Sequence, residues 1–396
     1  MSDSFGSIFL KEGRDSSIRH RHPWIFSGAI ERASKEFEEG DIARICDSKG
    51  EVLGFGHVAP GTIALKVLQF GGQEFDVGVF CRQKIQEALW LRAGLGLLNS
   101  KTTTAFRLLH AEGDGMPGLV ADYYAGTVVL QFHSMGMLLL KEQIVAALQE
   151  CLGQKLHCVY QQETTIEGAE SGPECAASYL FGEAPTHQFL ENGLHFQADW
   201  EQGQKTGFFL DQRENRELLR KLAPGRTVLN CFSYTGGFSC AALAGGASKV
   251  VSVDSSALAL AKAKEVVEKN FPEAKHECIE ADCLQFLREI GPGYDCIVLD
   301  PPAFIKHRGA YKGGIKGYET INTHALKQIE SGGLLFTFSC SQLLQRSDFL
   351  ELMQRSALRA NRNVRIVAEM QQAPCHPVAL GHPEGRYLKG LVLEVR

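Results

Sequence analysis

The spacing of apolar residues changes character along the chain. Residues 41–70, "DIARICDSKGEVLGFGHVAPGTIALKVLQF", carry short β-branched runs broken by Ser-Lys-Gly and Pro-Gly, which predicts strands joined by tight turns. Residues 1–72 are therefore expected to form a small β-barrel. From Asp76 to Leu98 the apolar positions recur at helical spacing and end in glycine-rich turns, predicting a connector helix. Next, "FRLLHAEGDGMPGLVADYYAGTVVLQFHS" reads as strand, turn, strand, turn, strand, and "MLLLKEQIVAALQEC" as a helix. Residues 73–193 are thus the connector and a small α+β middle domain. Within them "GDGMPG" has too few carboxylates for a calcium loop and is read as a tight turn.

Beyond Leu194 the rhythm becomes strand, helix, strand, helix. Apolar strands are expected at Val228 to Phe232, Val250 to Asp254, Cys278 to Asp282, Cys296 to Asp300 and Leu334 to Cys340. Short, continuous apolar runs separated by helical patterns such as "ALALAKAKEVVEKN" mark a doubly wound parallel sheet over residues 194–396. The last strand, "YLKGLVLEV", follows "VRIVAEM" with no good helix between them, so a terminal antiparallel strand is expected.

Composition narrows the class without choosing a function. With 396 residues, 44% hydrophobic and 22% charged, the chain reads as a multidomain globular α/β protein. Its beginning, "MSDSFGSIFLKEGRDSS", lacks the basic-then-apolar order of a secretory signal, and no apolar run is long enough to span a membrane. A soluble, cytoplasmic protein is expected. The 12 cysteines are dispersed, without zinc spacing, and are read as reduced thiols; no metal is expected. A net charge of −5 argues against indiscriminate nucleic-acid binding, so any RNA contact must be local.

Ligands of an open α/β sheet bind beyond the carboxyl ends of its strands. The first such end is "NCFSYTGGFSCAAL", where Gly236 and Gly237 let the backbone approach a ligand. It has neither GxGxxG nor GK[ST] spacing, which sets NAD and nucleotide phosphates behind other ligands. The next strand ends in "SVDSS", with Asp254 placed to accept ribose hydroxyls. Then "EADC" offers Asp282 and the Cys283 backbone to an adenine edge, and "LDPPAF" offers Asp300, prolyl carbonyls and Phe304 to a flat base. Each acid has a plainer alternative as a helix N-cap. Together they describe a site for an adenosine without phosphate, pointing to S-adenosylmethionine. Cys340 ends the strand "LLFTFSC", where a thiol is either buried filler or a nucleophile.

The segments "GQKTGFFLDQRENR", "VLNCFSYTGGFS", "VLDPPAF", "GYETIN", "FTFSCS" and "HPEGRYLKG", with "RHPWIFSGAI" near the start, resemble the bacterial ribosomal RNA large subunit methyltransferase I family over nearly the whole chain. The resemblance implies an N-terminal PUA domain, a middle α+β domain and a Rossmann-like class I methyltransferase domain with a seven-stranded sheet. It further implies 5-methylation of a cytosine in 23S ribosomal RNA. In that likeness Phe208, Tyr234, Thr235, Gly236, Asp254, Asp282 and Asp300 line the cofactor pocket and Cys340 attacks the base. Arg213, Asn230, Ser233, Gly237, Ser255 and Cys283 complete the candidate cofactor set. No second cysteine follows the Pro-Pro pair, since Ala303 and Phe304 come next. Asp300 is therefore a candidate both for holding the cytosine edge and for assisting proton removal.

Candidate RNA contacts are Arg19, Arg21 and Trp24 in "RHRHPWIF", where cations adjoin aromatic faces, and Lys306, Arg308, Lys312 and Lys316 in "KHRGAYKGGIKGY", read as a glycine-rich loop or lid. The plainer alternatives are a core Trp24 with a solvated basic rim, and a solvated loop. A homodimer stays open beside a monomer. Rival functions are an RNA N-methyltransferase without a covalent step and a non-catalytic ribosome-assembly factor.

Overall fold

The computed structural model describes residues 5–163, 166, 176–201, 203 and 205–396. Two compact units divide the chain. The first comprises Met1–Gly193, Gln197–Leu210 and Pro374–Gly385; the second comprises Leu194–Phe196, Asp211–Ala373 and Arg386–Arg396.

The first unit begins with β1 (Ser7–Leu10), α1 (Ser16–Arg19), β2 (Trp24–Phe26), β3 (Ile30–Ala33), β4 (Ile42–Cys46), β5 (Val52–Val58) and β6 (Ile63–Phe70). Their sheet has the order β2-β6-β5-β4-β1-β3. Side chains alternate across a strand, so Ile8, Leu10, Ile25, Ala43, Ile45, Leu65 and Val67 fall together on the buried face. Gly54 permits the close approach of β5 to β6: a Cβ there would stand 2.2 Å from the Gln69 carbonyl oxygen.

The connector is α2 (Val77–Gly94), capped by Asp76, whose carboxylate accepts the Val79 N–H. After it come β7 (Ala105–His110), β8 (Leu119–Tyr124), β9 (Thr127–Phe132), α3 (Met135–Leu139), α4 (Lys141–Leu152), β10 (Cys158–Gln161) and β11 (Ser178–Gly182), with sheet order β11-β10-β9-β8-β7. Short strands β12 (Gln188–Glu191) and β13 (Leu194–Gln197) follow, with Leu194–Phe196 of β13 belonging to the second unit. The "GDGMPG" segment opens as a 3-10 turn at Ala111–Asp114. Both Asp114 carboxylate oxygens accept from the buried Arg92 guanidinium, at 2.6 and 2.8 Å, and one also accepts the His110 N–H. That carboxylate is a structural anchor.

The second unit holds α5 (Arg213–Leu222), β14 (Thr227–Cys231), α6 (Gly237–Ala244), β15 (Lys249–Asp254), α7 (Ala257–Asn270), β16 (His276–Glu280), α8 (Cys283–Glu289), β17 (Cys296–Leu299), α9 (Tyr311–Gln328), β18 (Gly333–Ser339), α10 (Arg346–Ala360), β19 (Val364–Met370) and β20 (Lys389–Val395). The seven-stranded sheet runs β16-β15-β14-β17-β18-β20-β19. β20 pairs antiparallel with both β18 and β19, and the other pairings are parallel, as the missing helix before "YLKGLVLEV" predicts. The order turns back between β14 and β17, which makes their carboxyl ends the crevice for a ligand.

One expectation is corrected. Lys306 to Tyr318 is not a glycine-rich loop: a 3-10 turn at Arg308–Ala310 leads straight into α9. Gly314 and Gly317 serve close packing. A Cβ at Gly314 would stand 2.3 Å from Ile305 Cγ1 and 2.8 Å from the Phe304 carbonyl oxygen, while one at Gly317 would press on the Phe304 ring at 3.1 Å. The segment is helical because tertiary contact outweighs the low helix propensity of glycine.

Candidate active site

β14 delivers the chain into a loop of unusual backbone. Phe232 and Tyr234 lie in the left-handed region, with φ of 59° and 47°, and Gly236 follows at 81°. For residues other than glycine this conformation costs of order 1–3 kcal/mol each and persists only where the surroundings impose it. Here they do. The Tyr234 N–H donates to Asp254 Oδ2 at 2.9 Å, and Oδ1 of the same carboxylate accepts from the Ser256 N–H at 3.0 Å. The Phe232 N–H is held by the Cys283 sulfur at 3.2 Å, and Gly236 and Gly237 then open α6.

Beneath this loop runs a buried polar chain. Asn230 Nδ2 donates to Ser239 Oγ at 2.9 Å, Ser239 and Ser252 share a hydrogen bond at 2.7 Å, and Ser252 meets His276 Nε2 at 2.8 Å. Burial lowers the His276 pKa, which favours a neutral ring. The buried atoms Asn230 Oδ1, Ser233 Oγ and Thr235 Oγ1 have no hydrogen-bond partner among the described residues. Buried polar atoms are rarely left unmatched in a folded protein, so these fit a polar ligand over the Gly236–Gly237 turn. An adenosine-bearing cofactor without phosphate suits that donor and acceptor set.

The other expected cofactor residues divide. Ser255 is exposed beside Asp254. Asp282 does take the plainer role weighed for it, capping α8 through the Gln285 N–H at 2.8 Å. Cys283 is buried, and its thiol also donates toward the Val253 carbonyl. Arg213 begins α5 with its guanidinium on Glu214 at 2.9 Å. Phe208 belongs to the first unit, where it packs edge-on against Phe189.

At the end of β18 stands Cys340, half-buried, with its thiol directed at the Pro301 carbonyl oxygen at 3.8 Å. β18 is fully buried and pairs in parallel with β17, so Cys340 and the Asp300-Pro301-Pro302 segment leave the sheet at the same edge. A network fixes that edge. Ser341 Oγ accepts the Ile305 N–H at 3.0 Å and meets the Tyr318 hydroxyl at 2.9 Å. Asp300 Oδ1 accepts from Gln212 Nε2 at 3.0 Å, and Gln212 Oε1 accepts from Asn215 at 2.6 Å. Lys389 donates to the Ser341 carbonyl at 2.7 Å; burial pulls its ammonium down to about 8. Gln212, Tyr318, Ser341 and Lys389 were not singled out from sequence, although each lies inside a segment that carries the family resemblance.

The candidate RNA contacts Arg19, Arg21 and Trp24 are engaged within the first unit. Arg19 is ion-paired with Asp15 and Asp47, Arg21 lies over the Phe70 ring at 5.2 Å, and the Trp24 indole N–H donates to Glu112 at 2.9 Å. Lys306, Arg308, Lys312 and Lys316 are exposed, the last two one turn apart on α9.

The S-adenosylmethionine-dependent methyltransferase profile matches residues 107–378, and a PUA-like domain profile matches residues 8–70. The chain is similar to the ribosomal RNA large subunit methyltransferase I of Alteromonas mediterranea, 38% identical over 98% of both chains. It is equally similar to the enzyme of the same description in Aliivibrio fischeri, 38% identical over 98% of this chain and 99% of that one. Its fold matches a solved SAM-dependent methyltransferase chain from Streptococcus mutans, with a TM-score of 0.82, 22% identity and coverage of 98% and 99%. A methyltransferase structure complexed with SAH gives a TM-score of 0.84 at the same identity and coverage.

Proposed function

The chain belongs to the S-adenosylmethionine-dependent ribosomal RNA large subunit methyltransferase I family, and from that premise we propose that it methylates carbon 5 of a cytosine in 23S ribosomal RNA, in the cytoplasm, through a covalent adduct on Cys340. Asn230, Ser233, Thr235, the Gly236–Gly237 turn, Asp254, Ser255, Asp282 and the Cys283 backbone would hold the cofactor. When bound, S-adenosylmethionine supplies the sulfonium methyl that carbon 5 takes up.

The protein residues do the rest. Carbon 5 of cytosine is a poor nucleophile; addition of the Cys340 thiolate to carbon 6 makes the ring enamine-like. Once carbon 5 carries the methyl group, Asp300, or a water it holds, removes the carbon 5 proton. The sulfur then leaves carbon 6 with its bonding electrons and the ring is aromatic again. Covalent catalysis replaces one prohibitive step with several feasible ones. The base must leave its stack to reach the thiol, which costs least in a loop or other unpaired RNA. Lys306, Arg308, Lys312, Lys316, Arg19, Arg21 and the Trp24 ring are the proposed RNA contacts.

The observation that carries this reading is the sulfur of Cys340 at the carboxyl end of β18, within reach of the Pro301 carbonyl of the Asp-Pro-Pro segment. Bisulfite sequencing of ribosomal RNA from cells lacking the protein, complemented with wild type, Cys340→Ala or Asp300→Asn, tests it. One protected cytosine should return with wild type and with neither variant. Protection restored by Cys340→Ala would favour a direct transfer without a thiol adduct.

A further inference from the structure

Lys389 opens β20, and the antiparallel register sets it opposite Ser339, the last residue of β18. Residues directly opposed in an antiparallel pair project to the same face, so the long side chain follows the edge of β18 past its end. Its ammonium donates to the carbonyl of Ser341 at 2.7 Å. The ammonium is thereby anchored at Ser341, the residue after Cys340, on the face that Ser339 shares. Lys389 is buried, with 8% of its surface exposed, and among the described residues no carboxylate lies within ion-pair distance of it. A buried ammonium held by a single carbonyl is costly, and such charges are normally compensated by an opposite one.

Resting on the reading of Cys340 as the nucleophile, we propose that the Lys389 ammonium is the counter-charge of the Cys340 thiolate and a positioning residue for its attack and departure. The thiol S–H bond breaks and its proton goes to solvent. The sulfur electron pair forms the bond to carbon 6, and at the end that bond breaks with the pair returning to sulfur. Lys389 keeps its proton throughout.

Burial lowers the ammonium while the Cys340 charge acts in the opposite sense, which makes the two groups mutually dependent. Other ionisable groups reach this edge from neighbouring elements. From α9 comes the Tyr318 phenol, raised chiefly by burial and further by Cys340, so it stays a neutral donor. From the end of β17 comes Asp300, an anion that opposes a thiolate, and from the segment before α5 comes Asp211, which accepts the Tyr387 hydroxyl at 2.6 Å. The guanidiniums of Arg213 and Arg216 on α5 are further buried cations of this unit, and Lys389 is the one bonded beside Cys340, at Ser341.

The test is the pH dependence of iodoacetamide alkylation at Cys340 in the full chain, read from the Cys340 peptide by mass spectrometry. Lys389→Met should raise the midpoint by about one pH unit, an approximately tenfold loss of reactivity at neutral pH. Lys389→Arg, which keeps the charge, should restore the wild-type midpoint. An unchanged midpoint in Lys389→Met, or an equal displacement in Lys389→Arg, would overturn the proposal; Lys389→Gln is read the same way if the methionine variant does not fold. Alkylation needs neither RNA nor methyl donor, so it is independent of the reaction. Methylation by Cys340→Ala would overturn the nucleophile reading alone and leave the ion pair standing.

Discussion

His57 illustrates how much a single buried residue can demand. Its ring is fully buried on β5, both ring nitrogens lack a partner among the described residues, and the ring lies so close to Gly136 that a Cβ there would stand 2.2 Å away. Burial, with a smaller contribution from the Lys66 charge, lowers its pKa from 6.5 to about 3. The unfolded chain therefore binds a proton that the folded chain refuses between those values, so stability is full above pH 6.5 and falls as the solution is acidified. The loss should reach on the order of 3 kcal/mol near pH 4. Thermal melts of wild type and His57→Phe across that range check this: the variant should show a shallower acid slope, and parallel slopes would contradict it. The same scale shows what sequence could carry. Asp254 and Cys340 were legible as residues at strand ends, because a strand's polarity dictates where its last side chains emerge. Lys389 was not, because its partner lies 48 positions away and is a backbone carbonyl.

The strands of the second unit were visible as short apolar runs, and their observed bounds differ from the expected ones by one or two residues, as at Thr227–Cys231 and His276–Glu280. Helix α9 was hidden. Gly313, Gly314 and Gly317 read locally as a loop, and the nearness of Phe304 and Ile305 explains why glycine is needed at 314 and 317 in a helix. Gly314→Ala makes a direct test. The added methyl would overlap Ile305 Cγ1, forcing α9 away from the segment that carries Asp300 and faces Cys340. Overpacking of this kind costs about 1–3 kcal/mol. Methyl transfer should fall well beyond what the lowered melting temperature accounts for, and wild-type activity and stability together would show that α9 has no such role.

At the scale of the whole molecule, the chain pairs a PUA-like domain with a methyltransferase that ends in an antiparallel strand. That terminal strand was legible from the absence of a helix before it, and its consequence was not: β20 is what brings Lys389 to the active edge. The strained loop after β14 was equally silent in sequence, since Phe232 and Tyr234 give no local sign of left-handed backbone and are held there by Cys283 and Asp254. With a net charge of −5, the proposed engagement of RNA would rest on exposed local groups such as Lys312 and Lys316 rather than on the overall field. The proposed reaction depends on one sulfur attacking one pyrimidine. Incubating the protein and S-adenosylmethionine with 23S ribosomal RNA transcribed with 5-fluorocytidine, in which no carbon 5 proton can leave, measures this most directly. A thiol nucleophile predicts a complex that survives denaturation and whose nucleotide-bearing peptide contains Cys340. Methylation of ordinary RNA without any such complex, or a complex that persists in Cys340→Ala, would contradict it.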